Sequence, residues 1–389
     1  MKVSQFQPFI GKEEHEAMGS CFDSNWITEG PKCKEFTERF LDLTRARYGV
    51  FAQNGTLALY LGLRAAGVKS GDEVIVPNFT FIASANAVEM CGAKPLFVDV
   101  HLEDLQIDIT DCDRVLSKKT TAIMPVHLFG MAADMGEVMA YAIEKNLKVV
   151  EDAAQAVGVT WGGKHCGTFG EVGCFSFFAD KTITMGEGGF VTTNNEEIYN
   201  KLLYLRNQGR LNRGSFVHPE IGYNFRITDF QAAMGLVQLD KLKEIKDKKR
   251  NLLKLYKERL SEVEDVIIVE PCPRDESIHI SNHIPFRVVL MCQKPVEGLM
   301  KRFEEKGIEV RSVFHPLHDQ PCYNSPAQKL YKDINDQPGY ILDSHFPNSI
   351  HAYNHAVCLP SYPALEEEKV DYICDTIKEY YIWLNHHTP

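Results

Sequence analysis

No two cysteines stand in a C-x-x-C pair, and the eleven that occur, at positions 21, 33, 91, 112, 166, 174, 272, 292, 322, 358 and 374, are odd in number and follow no repeated spacing. A disulfide framework and a thiolate metal site are thereby excluded, and reduced, mostly buried thiols of a cytosolic protein are expected. Apolar runs of the roughly 18 residues needed to cross a bilayer are also missing. The stretch MKVSQFQPFIGKEEHEAMGS has neither the apolar centre nor the small-residue cleavage site of a secretory signal. A cytoplasmic protein with no membrane partner is expected. Positive charge is scarce: 42 Lys and Arg stand against 53 Asp and Glu, a formal charge of −11. Nucleic acids and anionic membranes select a basic face, so neither is expected as a partner.

What is present describes a folded chain. Of 389 residues, 44% are hydrophobic and 10% aromatic, enough for a sizeable core divided over two or three structural units. Between residues 48 and 193, β-rich runs alternate with helical stretches: YGVFAQ, DEVIVP, KPLFVDV, TAIMPVHLF, LKVVEDA, GCFSFF and FVTTN are the strands. That alternation predicts crossover units and a mostly parallel sheet covered by helices on both faces. From Thr228 to about Glu262 one long helix is predicted; its mixture of Lys with Glu and Asp marks a solvated face, not a basic binding patch. The remainder alternates strands (VIIVEP, PFRVVLM, IEVRSV) with helices, so a large unit over 1–245 and a small α/β unit over 246–389 are expected.

In open α/β sheets ligands bind beyond the carboxyl ends of the strands, so chemistry is sought there. Three such ends stand out. Lys181 follows the strand run ending at Phe178 and precedes Gly186-Glu187-Gly188-Gly189. Burial there would depress its pKa and make it a usable amine nucleophile; a loop lysine before a hairpin is the plainer alternative. Asp152 closes LKVVED, where a carboxylate could hold a heteroaromatic nitrogen protonated, or simply cap a helix. Asn54-Gly55-Thr56 opens a helix whose free N–H groups suit a phosphate. GEGG lacks the spacing of a dinucleotide fingerprint and leads into a strand, and the turn after the first strand reads AQNGTLA. Both argue against a dinucleotide-dependent oxidoreductase. His315 and His318 are separated by a proline and lack carboxylate or thiolate companions, so no metal site is expected.

An amine, a carboxylate and a phosphate cradle at the strand ends of one sheet are the parts needed to use pyridoxal phosphate (PLP). The motifs ITEGPKCKEFTERF, NGTLALYLGL, GDEVIVPNFTFIASANAV, IMPVHLFGMAADM, VVEDAAQAVG, FSFFADKTITMGEGGFVTTN, LRNQGR, IGYNFRITDFQAAMGLVQL and CLPSYP follow one another in order. In these the chain resembles the DegT/DnrJ/EryC1/StrS aminotransferases, PLP enzymes of fold type I that aminate keto sugars. The resemblance implies a seven-stranded, mostly parallel sheet with a smaller C-terminal α/β domain, and a homodimer with its active sites shared across the interface. It implies Lys181 as the Schiff-base lysine, Asp152 as partner of the pyridine nitrogen and Gln155 as donor to the phenolic oxygen. Gly55, Thr56 and Ser176 would hold the phosphate, and Asn224 would reach it across the dimer interface. Phe81 would cover one ring face.

Two positions depart from the family pattern: Met185 stands before Gly186, and Gln208 stands where a His is common. The presence of Lys181 argues for transamination over the dehydration catalysed by relatives with His at that position, and against a non-catalytic regulator. The resemblance implies L-glutamate as donor. It also implies a nucleotide-linked 4-keto-6-deoxy sugar as acceptor, as in perosamine synthases, for surface polysaccharide or lipopolysaccharide. The alternative acceptor is the 8-oxo sugar acid that yields 8-amino-3,8-dideoxy-manno-octulosonate. Because every reactant is anionic, cations are expected to focus on the site, with Arg206, Arg210, Arg213 and Arg226 as candidates.

Overall fold

The computed structural model describes residues 1–210, 216–272 and 283–387. Its main sheet contains seven strands: β1 (Tyr48–Ala52), β2 (Glu73–Pro77), β3 (Lys94–Val98), β4 (Thr120–Ile123), β5 (Lys148–Asp152), β6 (Val172–Ser176) and β7 (Gly189–Thr193). All seven fall on the runs read as strands, three of them starting one residue earlier. Their order is β1-β7-β6-β5-β4-β2-β3. The strands from β3 to β6 pair in parallel, and β7 runs antiparallel to both β6 and β1. The expected mostly parallel, seven-stranded α/β architecture is borne out.

Alternation along the strands sends side chains into two different cores. On one face Val50, Val150, Cys174 and Val191 pack with Leu59, Leu61 and Leu63 of the helix Gly55–Ala66. Gly62 lets that helix lie close, because a Cβ there would fall 2.7 Å from Cys174 Sγ. On the other face Phe51, Phe175 and Phe190 meet Phe36 and Phe40 of the helix Pro31–Thr44 and Phe177 of the loop after β6. Phe36 and Phe40 are stacked with centroids 5.5 Å apart, and the pairs Phe36–Phe51, Phe40–Phe175, Phe40–Phe177 and Phe51–Phe190 stand 5.0–5.5 Å apart, tilted or edge-on. Each ring removed from water contributes about 2 kcal/mol.

One predicted strand is shorter than read. β4 stops at Ile123, although apolar residues continue to Phe129. Pro125 has no N–H for a ladder, so only its carbonyl takes part, accepting from Asp152 N at 2.9 Å.

The C-terminal unit carries an antiparallel sheet of β8 (Val266–Ile268), β9 (Val288–Cys292), β10 (Arg311–Ser312) and β11 (Ala356–Leu359), in the order β8-β9-β11-β10. Helices Glu297–Glu305 and Glu367–His387 pack on it through Leu299, Phe303, Ile373 and Ile377. The helix Asp229–Leu260 is common to both cores: Ala232, Leu236, Leu242 and Ile245 join the aromatic face of the main sheet, and Leu252, Leu253, Tyr256 and Leu260 join the small sheet. The Asp229 carboxylate accepts from the N–H groups of Gly30, Lys32 and Cys33 at 2.8–3.1 Å, binding the start of this helix to the start of Pro31–Thr44. Among the described residues no disulfide is formed, and all the cysteines but Cys272 and Cys322 are buried. Among the described residues no helix is long and apolar enough to cross a membrane.

Candidate active site

A cleft of about 420 Å³ opens at the carboxyl ends of the parallel strands, between the main sheet and the small one. Asn54, Gly55, Thr56, Phe81, Asp152, Gln155, Ser176 and Lys181 all line it. The sequence had placed them over more than a hundred residues; the parallel topology gathers them by directing successive strand ends to the same edge.

Asp152 ends β5 beside Glu151, and the pleat sends the two carboxylates opposite ways. Glu151 is fully buried behind the sheet, accepting from the N–H groups of Gly167, Phe169 and Gly170 and lying 3.0 Å from His127 Nε2. Asp152 faces the cleft, with Oδ2 accepting from Ser84 Oγ at 2.7 Å and Oδ1 from Ala154 N at 3.1 Å. Burial pushes its pKa up; the Ser84 and Ala154 hydrogen bonds and the Lys181 charge oppose the rise.

Lys181 lies in the loop between β6 and β7, its side chain 15% exposed. Its Nζ is 4.7 Å from the centre of the Phe286 ring and 4.0 Å from Asp180 Oδ1. Burial lowers its pKa, against the attraction of Asp180 and Asp152. The loop is held in shape from within, by Met185 N donating to Phe177 O at 2.9 Å and by Gly186 at φ 75°. Met185 is buried against Phe177 and Gly235 in the aromatic core and does not line the cleft.

The helix Gly55–Ala66 begins with its first two N–H groups unpaired. Asn54 caps it through Oδ1 to Leu57 N at 3.0 Å, and Asn54 O takes Ala58 N, so the Gly55 and Thr56 N–H groups have no acceptor in the helix. A Cβ at Gly55 would fall 2.7 Å from Ser176 Cβ and 3.0 Å from its Oγ. Glycine is what allows the helix start and the Ser176 hydroxyl to share one anion-sized cradle. Gln155 Oε1 accepts from Phe129 N at 2.7 Å, which fixes the amide and leaves its NH₂ end as the donor. Phe81 is 56% exposed and stands near Phe314, which stacks on Phe129 with centroids 5.6 Å apart.

Other expected residues lie elsewhere. Asn224 is exposed, outside the cleft of its own chain, and its Oδ1 accepts from Arg226 N at 3.2 Å. Gln208 is also exposed and takes His218 Nδ1 on its carbonyl at 2.7 Å. The described candidate arginines do not line the cleft of their own chain. Arg206 is buried away from the cleft, donating to Phe51 O and Glu29 Oε2 at 3.0 and 2.9 Å. Arg210 and Arg226 both donate to Asn207 Oδ1. Arg213 lies outside the described residues. The cations that do line the cleft beside Lys181 are Arg287 and Arg311, which sequence reasoning missed. Asp180 Oδ2 accepts from Arg287 Nη2 at 2.6 Å and lies 3.7 Å from Arg311 Nη1. The one available sign was an arginine in each of the strand runs PFRVVLM and IEVRSV.

The profile of the DegT/DnrJ/EryC1/StrS aminotransferase family matches residues 8–378. A protein named GDP-perosamine synthase from Escherichia coli O157:H7 is 36% identical over 380 residues, covering 97% of this chain and 98% of that protein. Among solved structures, the aminotransferase TlmJ from Streptoalloteichus hindustanus superposes with a TM-score of 0.89 at 26% identity, covering 99% of this chain and all of that one. The sugar aminotransferase Spr1654 from Streptococcus pneumoniae, described as putative and solved in its PMP form, gives 0.87 at 25% identity over 98% of both chains. The chain therefore belongs to the DegT/DnrJ/EryC1/StrS aminotransferase family and is a PLP-dependent sugar aminotransferase.

Proposed function

We propose that this enzyme moves an amino group from L-glutamate to a nucleotide-linked 4-keto-6-deoxy sugar used for surface polysaccharide or lipopolysaccharide. The similarity to proteins named GDP-perosamine synthase, at 35–36% identity over nearly the whole chain, supports the acceptor. The observation that carries the site is the placement of a buried amine, a buried carboxylate and two unpaired helix-start N–H groups around one cleft. PLP fits those groups. When bound, it supplies the electron sink that allows a proton to leave the carbon bearing the amino group.

The roles follow from the side chains. Gly55 N–H, Thr56 N–H and Ser176 Oγ hold the phosphate. Asp152 holds the ring nitrogen protonated, with Ser84 and Ala154 keeping the carboxylate charged and aimed. The Gln155 amide donates to the phenolic oxygen, and Phe81 covers one ring face while Phe129 and Phe314 keep water out. Lys181 Nζ anchors the cofactor and, when free, carries the proton between donor and cofactor carbons; burial lowers its pKa and so favours the neutral, basic amine. We place the boundary between the two units near residue 245, inside the helix Asp229–Leu260, and the working enzyme in the cytoplasm as a homodimer.

Borohydride reduction followed by peptide mass spectrometry tests the anchor. The wild type is expected to carry the cofactor on Lys181; Lys181→Arg is expected to carry none and to lose turnover. Normal amination by Lys181→Arg would overturn the assignment. A panel of free and nucleotide-linked keto sugars, with 2-oxoglutarate release as readout, tests the acceptor.

A further inference from the structure

We infer that Arg311 is the binding point for a substrate carboxylate, and that Asp180, whose Oδ2 lies 3.7 Å from Arg311 Nη1, competes with that carboxylate for the guanidinium. The inference rests on the aminotransferase reading above and names a subsite within it. Among the described residues lining the cleft, the cations are Lys181, Arg287 and Arg311. Arg287 is buried and held: its side chain is 9% exposed, donates to Asp180 Oδ2 at 2.6 Å, donates to the Gln5 amide oxygen at 3.3 Å and lies 4.9 Å from the Phe286 ring centre. Arg311 is different. Its side chain is 57% exposed, and its ion-pair contact with Asp180, at 3.7 Å, is too long for a hydrogen bond. A guanidinium with its fork of donors free is suited to two parallel hydrogen bonds with a carboxylate.

Its position fits as well as its chemistry. The Asp180 carboxylate bridges the space between Arg311 and the lysine, with Oδ2 toward Arg311 and Oδ1 4.0 Å from Lys181 Nζ. That Oδ1 is buried and has no hydrogen-bond donor. A substrate carboxylate held by Arg311 would therefore stand beside Lys181. In an α-amino acid the carboxylate is bonded to the carbon that carries the nitrogen, so this placement brings the reacting nitrogen to the lysine. An acidic keto sugar presents the same group, and the two sources are separable by experiment.

The test uses cofactor-loaded wild type, Arg311→Gln and Arg311→Lys, titrated calorimetrically with 2-oxoglutarate and, separately, with a free sugar acid such as 3-deoxy-octulosonate. Arg311→Gln is expected to weaken binding of at least one acid by about 10- to 100-fold, and Arg311→Lys to recover part of it, with cofactor absorbance unchanged in both. Loss for 2-oxoglutarate assigns the subsite to the amino donor, loss for the sugar acid to the acceptor, and loss for both to each in turn. Asp180→Asn removes the competing charge and is expected to strengthen acid binding by about three- to tenfold; weakening would overturn the competition by Asp180. Equal binding by wild type and Arg311→Gln overturns the inference alone. A wild type that binds neither acid overturns it together with the reading on which it rests.

Discussion

Glu151 and Asp152 are adjacent carboxylates with different work, and the difference is made by the pleat of β5 together with their partners. Glu151, among three backbone N–H groups, closes the 167–170 loop onto the back of the sheet. Asp152 has two donors and faces the cleft. Replacing it by Asn keeps the shape and removes the charge that would hold a ring nitrogen protonated. Asp152→Asn is expected to retain bound cofactor, to change the pH dependence of its visible absorbance and to lose at least about 100-fold in turnover. Turnover within a few-fold of wild type would count against the role. Residues such as Asp152, Lys181 and Gly55 were legible in the sequence because each stands at the end of a strand or within a few residues of it, where neighbours along the chain are neighbours in space. Arg206 misled because it stands in a family motif although its side chain turns toward Phe51 O and Glu29. Arg287 and Arg311 were not legible, since they lie more than a hundred residues after Lys181 and meet Asp180 only once the small sheet is docked.

The helix Gly55–Ala66 joins fold and chemistry at its first turn. Its capping by Asn54 is ordinary, but the close approach of Gly55 to Ser176 is not, and a methyl group there would have to displace one of them. Gly55→Ala is expected to leave far-ultraviolet dichroism unchanged and to weaken PLP binding about tenfold or more, measured by fluorescence titration of the apoprotein. Unchanged affinity would remove Gly55 from the phosphate site. At this scale the strong periodic segments were readable and the short ones were not. Thr228 to Glu262 was read as a helix, and Asp229–Leu260 is one. The end of β4 was overrun because apolar character continues past Pro125, where pairing cannot. β11 went unread: four residues, AVCL, lie directly after the helix Pro347–His355, too few for a period to show.

The chain as a whole leaves apolar side chains uncovered. Phe22, Phe216, Val217 and Ile221 are 69–84% exposed, and the latter three lead up to Asn224, which has no role in its own cleft. In the homodimer proposed above, a second copy laid over this surface would bury them and bring Asn224 to the partner's phosphate. Mixing tests this directly. Lys181→Ala and Asn224→Asp, each nearly inactive alone, are expected to regain about a quarter of wild-type activity when co-expressed, because half the dimers are hybrids with one intact site each. No regain would separate Asn224 from the neighbouring site. The helix Asp229–Leu260 adds a constraint of another kind. It enters one core and leaves through the other without a break, so a chimera that borrows the small unit of a relative must be spliced within it. At 3.6 residues per turn, a splice in error by one residue rotates every later side chain by about 100°. Tyr256 and Leu260 would then face water, and recombination between such enzymes must keep helical phase as strictly as it keeps reading frame.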